Sequence, residues 1–346
     1  MPALLNWLLV AMAVVAVVLA TFWGVLALSF MHRRHSLAAT LLALLFAALG
    51  VLTVGALASG ARALPVLGAF LLACGSVYLA FTRVRASNER EWKPSVAILP
   101  WATCEGDRVT VHNIRNFSYR TSEDYTVAYY DRIFDLRDLA SLDLIASYWT
   151  GRAVAHIFLS FGFGDSGQLA ISIERRDERG ARYSALRGLF KNYELIYVVA
   201  DERDVIHLRT GVRTDPCEDV YLYPVHAQAD DIRRLFLDYL REINALREQP
   251  AFYNTLCANC TANIWLHARV VGERLPYSWK ILLSGFVPEY LYEHGGLGGR
   301  LPFARLKAVS RINDIARTLG PEADFSRDLR AALAARRAAA EGAAAS

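Results

Sequence analysis

Tyr253-Asn254-Thr255-Leu256-Cys257-Ala258-Asn259-Cys260-Thr261-Ala262-Asn263-Ile264-Trp265 is a polar, cysteine-bearing turn that runs into an apolar helical pattern. A helix opening near Thr261 places Cys260 at its N-terminus, where unpaired backbone N–H groups and the positive end of the helix dipole favour a thiolate. A nucleophile of this kind needs a base. Upstream, His156-Ile157-Phe158-Leu159-Ser160-Phe161 has the alternation and aromatic content of a strand and is bounded by Gly162, Gly164 and Gly167. A tight glycine turn joins it to Leu169-Ala170-Ile171-Ser172-Ile173-Glu174, where alternation puts Ser172 and Glu174 on one face. Either could orient His156, with Glu174 preferred because a carboxylate stabilises an imidazolium better than a hydroxyl does. Asn259, or the backbone N–H of Cys260 itself, is the candidate oxyanion donor.

The same residues admit plainer readings. Cys257 and Cys260 have the spacing of half a metal site, a redox pair or a structural disulfide, and a histidine on an apolar strand is often simply buried and hydrogen-bonded. A zinc site would want a second close Cys or His pair, which neither His267 nor Cys217 supplies. No metal and no cofactor is expected. Of the five cysteines, Cys74 lies in an apolar run, and Cys257 could pair with Cys104 or Cys217 in an oxidising compartment.

Outward from this pair, Arg108–Phe117 and Asp124–Phe134 read as two strands of a hairpin. Ala155–Phe161, Gln168–Arg175, Tyr193–Ala200, Val205–Thr210 and Val220–Val225 read as further strands of an antiparallel sheet. Leu139, Leu142, Ile145 and Ala146 are spaced as on a helix, so Asp138–Trp149 is expected as a short helix or docking turn. Asp201-Glu202-Arg203-Asp204 reads as a charged hairpin turn, and Arg115 as the partner of an acidic neighbour. Asp230–Leu246 repeats apolar residues at intervals of three and four, an amphipathic helix closed by Pro250. The segment from Pro276 to Arg300 holds Gly-Gly-Leu-Gly-Gly and is expected over the site. Ala331–Ser346 is low-complexity and either a helical tail or disordered.

The first residues belong to another environment. In a chain of 346 residues with 54% apolar and 21% charged residues, Ala3–Phe30 and Ser36–Gly60 carry no charge, and Ala63–Thr82 is just long enough to cross a bilayer. Three membrane spans are expected, followed by a charged linker ending at Pro94. A cleavable leader is disfavoured, because the first run is too long and is followed by Arg33 and Arg34 rather than a small-residue cleavage site. The net charge of +4 is scattered, with no basic cluster interleaved with aromatics, so nucleic acid is not an expected partner.

Six segments, Asn113–Arg120, His156–Phe163, Leu169–Glu174, Tyr193–Tyr197, Asp201–Asp204 and Tyr253–Thr261, occur in an order that resembles the Lnb N-terminal periplasmic domain family of bacterial membrane proteins. The resemblance covers roughly Trp92 to Arg317. It implies an α+β fold in which N-terminal transmembrane helices precede a permuted papain- or NlpC-like domain with an antiparallel sheet and a cysteine-bearing helix. The corresponding division is a membrane domain at 1–85, a linker at 86–94, the Cys–His domain at 95–320 and an Ala/Arg-rich tail at 321–346. It also implies thiol acyl chemistry: Cys260 attacks an ester of a membrane lipid or lipoprotein, His156 takes the proton, and the acyl group passes to an amine, as in lipoprotein N-acylation, or to water. The alternatives are an NlpC-like peptidase or amidase acting on cell-wall peptides and a non-catalytic lipid-binding or assembly module. On location the signals conflict. Arg33, Arg34, Arg83, Arg85, Arg90 and Lys93 would place the domain in the cytoplasm by the positive-inside rule, whereas the family places it in the periplasm, on a multi-pass protein of the bacterial inner membrane. The family is followed here.

Overall fold

The computed structural model describes residues 2–31, 36–181, 184–271, 276–298, 301–319 and 324–345. The turn holding Arg33 and Arg34, and Gly299-Arg300 at the end of the glycine-rich segment, lie outside them. The chain forms two compact units, one of Met1–Ser87 with Arg182–Glu194 and the other of the remainder.

In the first unit, α1 (Pro2–Phe30), α2 (Leu37–Ser59) and α3 (Ala63–Arg83) are three helices long and apolar enough to cross a membrane, with mean hydropathies of 2.6, 2.5 and 2.0 over the spans. Small residues let them approach: a Cβ on Gly24 would strike the Phe46 ring, and one on Gly50 would strike Thr21. The residues before Glu194 close the ends of two of these helices. Lys191 Nζ donates to the Phe81 carbonyl at 2.9 Å and Asn192 Nδ2 to the Phe30 carbonyl at 2.7 Å. Helix C-terminal carbonyls lack intrahelical donors, and a cation suits that end of the dipole.

The second unit is built on a sheet of β1 (Trp101–Glu105), β2 (Arg108–Arg115), β5 (Tyr129–Asp135), β6 (Ser141–Thr150), β7 (Val154–Gly162), β8 (Gln168–Arg176), β9 (Glu194–Asp201) and β10 (Asp219–Pro224). Its order is β1-β2-β9-β8-β7-β6-β10, with β5 paired to β2; β3 (Ser118–Tyr119) and β4 (Tyr125–Thr126) form a separate small ribbon. The expected antiparallel sheet is in fact mixed, because β2 and β9 run parallel. The expected hairpin of Arg108–Phe117 with Asp124–Phe134 forms as β2 and β5.

Helices cover both faces. Leu144, Ala146, Leu159 and Phe161 pack with Leu235, Phe236, Tyr239 and Ile243 of α5 (Ala229–Glu248). Ile145, Phe158, Ala170 and Leu222 face the other way, onto Ile206 of α4 (Glu202–His207), Ile312, and Leu329 and Leu333 near the C-terminus. This explains a correction: 138–149 holds β6, not a helix. A strand buried on both faces is apolar at nearly every position, so its sequence cannot reveal a period of two.

A second correction concerns Val205–Thr210, which is α4 followed by a wide turn at Leu208–Val212 rather than a strand. Asp201 caps α4 by accepting from Arg203 N at 3.0 Å, and acidic residues suit its first turn. The Asp201–Asp204 stretch is therefore a helix start and not a hairpin turn.

After α6 (Cys260–Val271) come the short helices α7 (Trp279–Leu282), α8 (Val287–Glu293), α9 (Phe303–Val309) and α10 (Asn313–Thr318), then α11 (Phe325–Ala345). The C-terminal stretch takes the helical alternative, and it is no loose tail. Phe325, Leu329 and Leu333 of α11 are buried, and Arg330 binds Asp143 Oδ2 at 2.6 Å and Glu202 Oε1 at 2.7 Å.

Candidate functional site

The turn before α6 is built by asparagine side chains. Asn254 Oδ1 accepts from Leu256 N and Cys257 N at 2.9 and 3.2 Å. Asn259 Oδ1 accepts from Ala262 N at 2.9 Å and from the Thr261 hydroxyl at 3.0 Å, and Asn259 Nδ2 donates to Thr255 O at 2.8 Å. Asn259 is thus the N-cap of α6. Its side-chain oxygen is used in capping and its amide is engaged with the turn, which leaves backbone N–H groups as the better oxyanion donors. Cys260 is the first residue of α6.

The sheet opens to receive the thiol. The β7–β8 ladder runs from Gly162↔Gln168 to Leu159↔Ile171 and stops, so His156, Ser172 and Glu174 lie where the two strands have parted. On that freed edge of β7, Ala155 N donates to Ser284 Oγ at 2.9 Å, and the N–H of Ile157 reaches Cys260.

The predicted residues come together here. The His156 imidazole and the Cys260 thiol are close enough to shift each other's titration. His156 Nε2 lies 2.7 Å from Ser172 Oγ, which donates to Glu174 Oε1 at 2.8 Å, while His156 Nε2 to Glu174 Oε1 is 3.5 Å. A serine hydroxyl has one proton. Because Ser172 gives it to Glu174, Ser172 accepts from Nε2–H, and Nδ1 is left as the nitrogen available to Cys260. The orienting group preferred on chemical grounds, Glu174, therefore acts largely through Ser172.

Two groups that sequence reading missed complete the chain of contacts. Arg209 Nη2 donates to Glu174 Oε1 at 3.2 Å, and its guanidinium lies 5.2 Å from the Phe158 ring centre. Glu218, 3.8 Å from Arg209 Nε, accepts from Arg213 Nη1 at 2.7 Å and from Ser147, the residue opposite His156 in the β6–β7 register. A lone arginine in the apolar run Val205–Thr210 was the available signal.

The electrostatics follow. Burial pushes the Cys260 thiol up, but the hydrogen bond and charge of His156, with the N–H groups of Ile157 and Thr261, outweigh it and bring the thiol below its ordinary value. Burial alone would lower His156; its bonds to Cys260 and Glu174 raise it above the usual imidazole value. Glu174, despite burial, is held well below the usual carboxylate range by His156 and Arg209. Opposed shifts on a thiol and an imidazole in contact favour the thiolate–imidazolium pair.

Other expectations fall outside this cluster. All five cysteines are free, and Cys257 is exposed. Gly296 and Leu297 join His226 and Val225, beyond the Leu142–Phe161 end of the sheet. That is roughly 16 Å from His156 along β7 at the usual rise of a strand, so among the described residues the glycine-rich part of the expected cover lies away from the site, while Ser284–Gly285 of the same segment approaches it. Arg115 does pair with an acid: it holds Asp204 through Nη2 and Nε at 2.9 and 3.1 Å. His267 is a separate case, bonded to Asp238 Oδ2 at 2.6 Å and to the Tyr197 hydroxyl at 2.6 Å. Among the described residues no group of three or more His, Cys, Asp or Glu side chains is placed to hold a metal ion.

Residues 125–285 match the family model of the Lnb N-terminal periplasmic domain. The matched range is narrower than the resemblance suggested. It holds His156, Ser172, Glu174 and Cys260 but not the Asn113–Arg120 segment. No curated relative and no solved structure matches the chain. With three helices fit to span a bilayer, the chain is a membrane protein whose residues 125–285 match the model of the Lnb N-terminal periplasmic domain family.

Proposed function

We propose that the protein is a membrane-anchored, cysteine-dependent acyltransferase or hydrolase whose Cys260 takes an acyl group from a lipid or lipoprotein ester. One observation carries this reading: a helix-N-terminal thiol, lowered below its ordinary value, in contact with a histidine backed by Ser172 and Glu174. The strand-borne histidine preceding the helix-borne cysteine suits a permuted papain-like order, and the periplasmic family suits work on the outer face of a bacterial inner membrane.

In the first half-reaction the Cys260 thiolate attacks the ester carbonyl. The C–S bond forms as the carbonyl oxygen gains negative charge, and backbone N–H groups at the start of α6 are placed to meet that charge. Collapse breaks the ester C–O bond, and the leaving alkoxide takes the proton held by His156. An amine or water then attacks the thioester and gives its proton to His156. The C–S bond breaks, and the thiolate–imidazolium pair returns. Ser172 and Glu174 keep the imidazole oriented, Glu174 compensates its positive charge, and Arg209 holds Glu174 in place.

The test is intact-protein mass spectrometry of the full chain incubated with phospholipid. A fatty-acyl mass increment that hydroxylamine removes, absent in Cys260→Ser and His156→Ala, is the expected result. Selective iodoacetamide labelling of Cys260 with no acyl adduct in wild type would overturn the lipid-ester reading and move cleavage of cell-wall peptides ahead.

A further inference from the structure

The second unit leaves a cluster of large apolar side chains in the open, on the chain that carries the nucleophile. Val270 is 57%, Trp279 55% and Tyr277 63% exposed, and Leu256, Leu266 and Leu282 are exposed as well. Leu266 and Val270 are one turn apart on α6, whose opposite side packs Cys260, Ile264 and the buried His267 inward. The surface is continuous: Trp265 and Tyr277 meet edge to face at 5.3 Å, and Trp279 meets Phe286 at 5.1 Å. Ser284, beside Phe286, bonds the strand residue next to His156, so the patch flanks the nucleophile on the α6 side and the histidine on the β7 side.

Exposed apolar surface of this kind marks an interaction site. Its composition selects the partner. Arg269 lies 4.8 Å from the Trp265 ring centre, Arg152 5.4 Å from Phe286 and Lys280 5.9 Å from Trp279. Lys280 is paired with Glu289 and Glu293, so the cations this surface offers to a headgroup are Arg269 and Arg152. Tryptophan and tyrosine interleaved with cations, beside aliphatic side chains, are the composition of segments that sit in the headgroup zone of a bilayer, with cations drawn to anionic lipid. A protein interface depletes lysine relative to the rest of the surface, and Lys280 lies on this one. The chain also carries its own bilayer-spanning helices, so a lipid surface is always within reach.

We infer that the surface formed by Leu266, Val270, Tyr277, Trp279 and Leu282 docks into the headgroup region of an anionic phospholipid bilayer and brings Cys260 to the lipid. Docking does not depend on the chemistry at Cys260, and the two ideas fail separately.

The experiment reconstitutes the full chain into vesicles of phosphatidylcholine with phosphatidylglycerol, doped with a photoactivatable phospholipid, and maps crosslinked peptides by mass spectrometry. Labelling is expected on the peptides holding Leu266–Val270 and Tyr277–Leu282 as well as on α1–α3, in wild type and in Cys260→Ser alike. Leu266→Asp/Val270→Asp/Trp279→Asp, all at exposed positions, is expected to cut labelling of those two peptides at least about tenfold, since each charge opposes entry into the bilayer interface. Labelling of the spans is the internal control. Label confined to α1–α3, or undiminished in the triple variant, overturns the inference. A protein–protein crosslink through Val270 that the triple variant abolishes also overturns it, in favour of a second copy. Labelled docking peptides without an acyl adduct on Cys260 would sink the proposed chemistry and leave docking standing.

Discussion

Two histidines stand in matching arrangements and differ in what they can do. His267 lies between the Asp238 carboxylate and the Tyr197 hydroxyl, both at 2.6 Å, with the Tyr239 ring 4.2 Å away. His156 lies between a thiol and a hydroxyl that leads to a carboxylate. Burial dominates at His267 and holds it below the usual imidazole value even against its bond to Asp238. At His156 the bonds to Cys260 and Glu174 prevail over burial and raise it. A histidine lowered between two buried oxygens braces the helix; a histidine raised beside a lowered thiol is equipped for proton transfer. The partner atom, more than the burial, separates the two.

The largest expected effect falls on activity. His156→Ala lowers acyl transfer by about 10³-fold or more, since the thiol loses its base. His267→Ala leaves acyl transfer within a few-fold of wild type. It lowers unfolding stability by about 3 kcal/mol in chemical denaturation, because Asp238 and Tyr197 are left buried without their partner. If the two variants exchange these phenotypes, the comparison fails.

Ser172→Ala is expected to cost about tenfold in Cys260 alkylation, by removing the acceptor that fixes Nε2–H and leaving that donor unpaired. Equal rates in Ser172→Ala and wild type would assign the orienting role to Glu174 alone. Asn259→Ala removes the N-cap of α6 and lowers stability by about 1 kcal/mol with catalysis affected only through helix fraying.

The two histidines also predict opposite responses of stability to pH. His267 is lowered in the folded protein, so its contribution is present above the unfolded value near ~6.5 and is lost as pH falls through the folded value. His156 is raised, so its contribution is complete below ~6.5 and is lost as pH rises through its folded value. Denaturation of His267→Gln and His156→Gln across that range should therefore show wild-type advantages that grow with pH in the first case and shrink with pH in the second.

What was legible in the sequence follows from local rules. The spans, the helix after Cys260, and the pairing of His156 with Ser172 and Glu174 depend on uncharged length, a turn entering a helix, and alternation across a short glycine turn. Each is a short-range pattern. The missed parts depend on tertiary context. β6 is buried on both faces and carries no period. Arg209 reaches Glu174 only because α4 and the turn after it replace an expected strand. α11 looks like low complexity, yet Phe325, Leu329, Leu333 and Arg330 make it one wall of the core. Asn259 was identified as part of the site, but its role is the cap that a polar residue before a helix usually supplies.

The most direct measurement is the pH dependence of alkylation at Cys260 in the wild-type protein and in His156→Ala, resolved peptide by peptide. The account predicts that Cys260 reacts in wild type with a midpoint below the ordinary thiol value near ~8.5 and that His156→Ala moves that midpoint up. Coincident profiles for wild type and His156→Ala would contradict it and leave Cys260 a structural residue at the head of a helix.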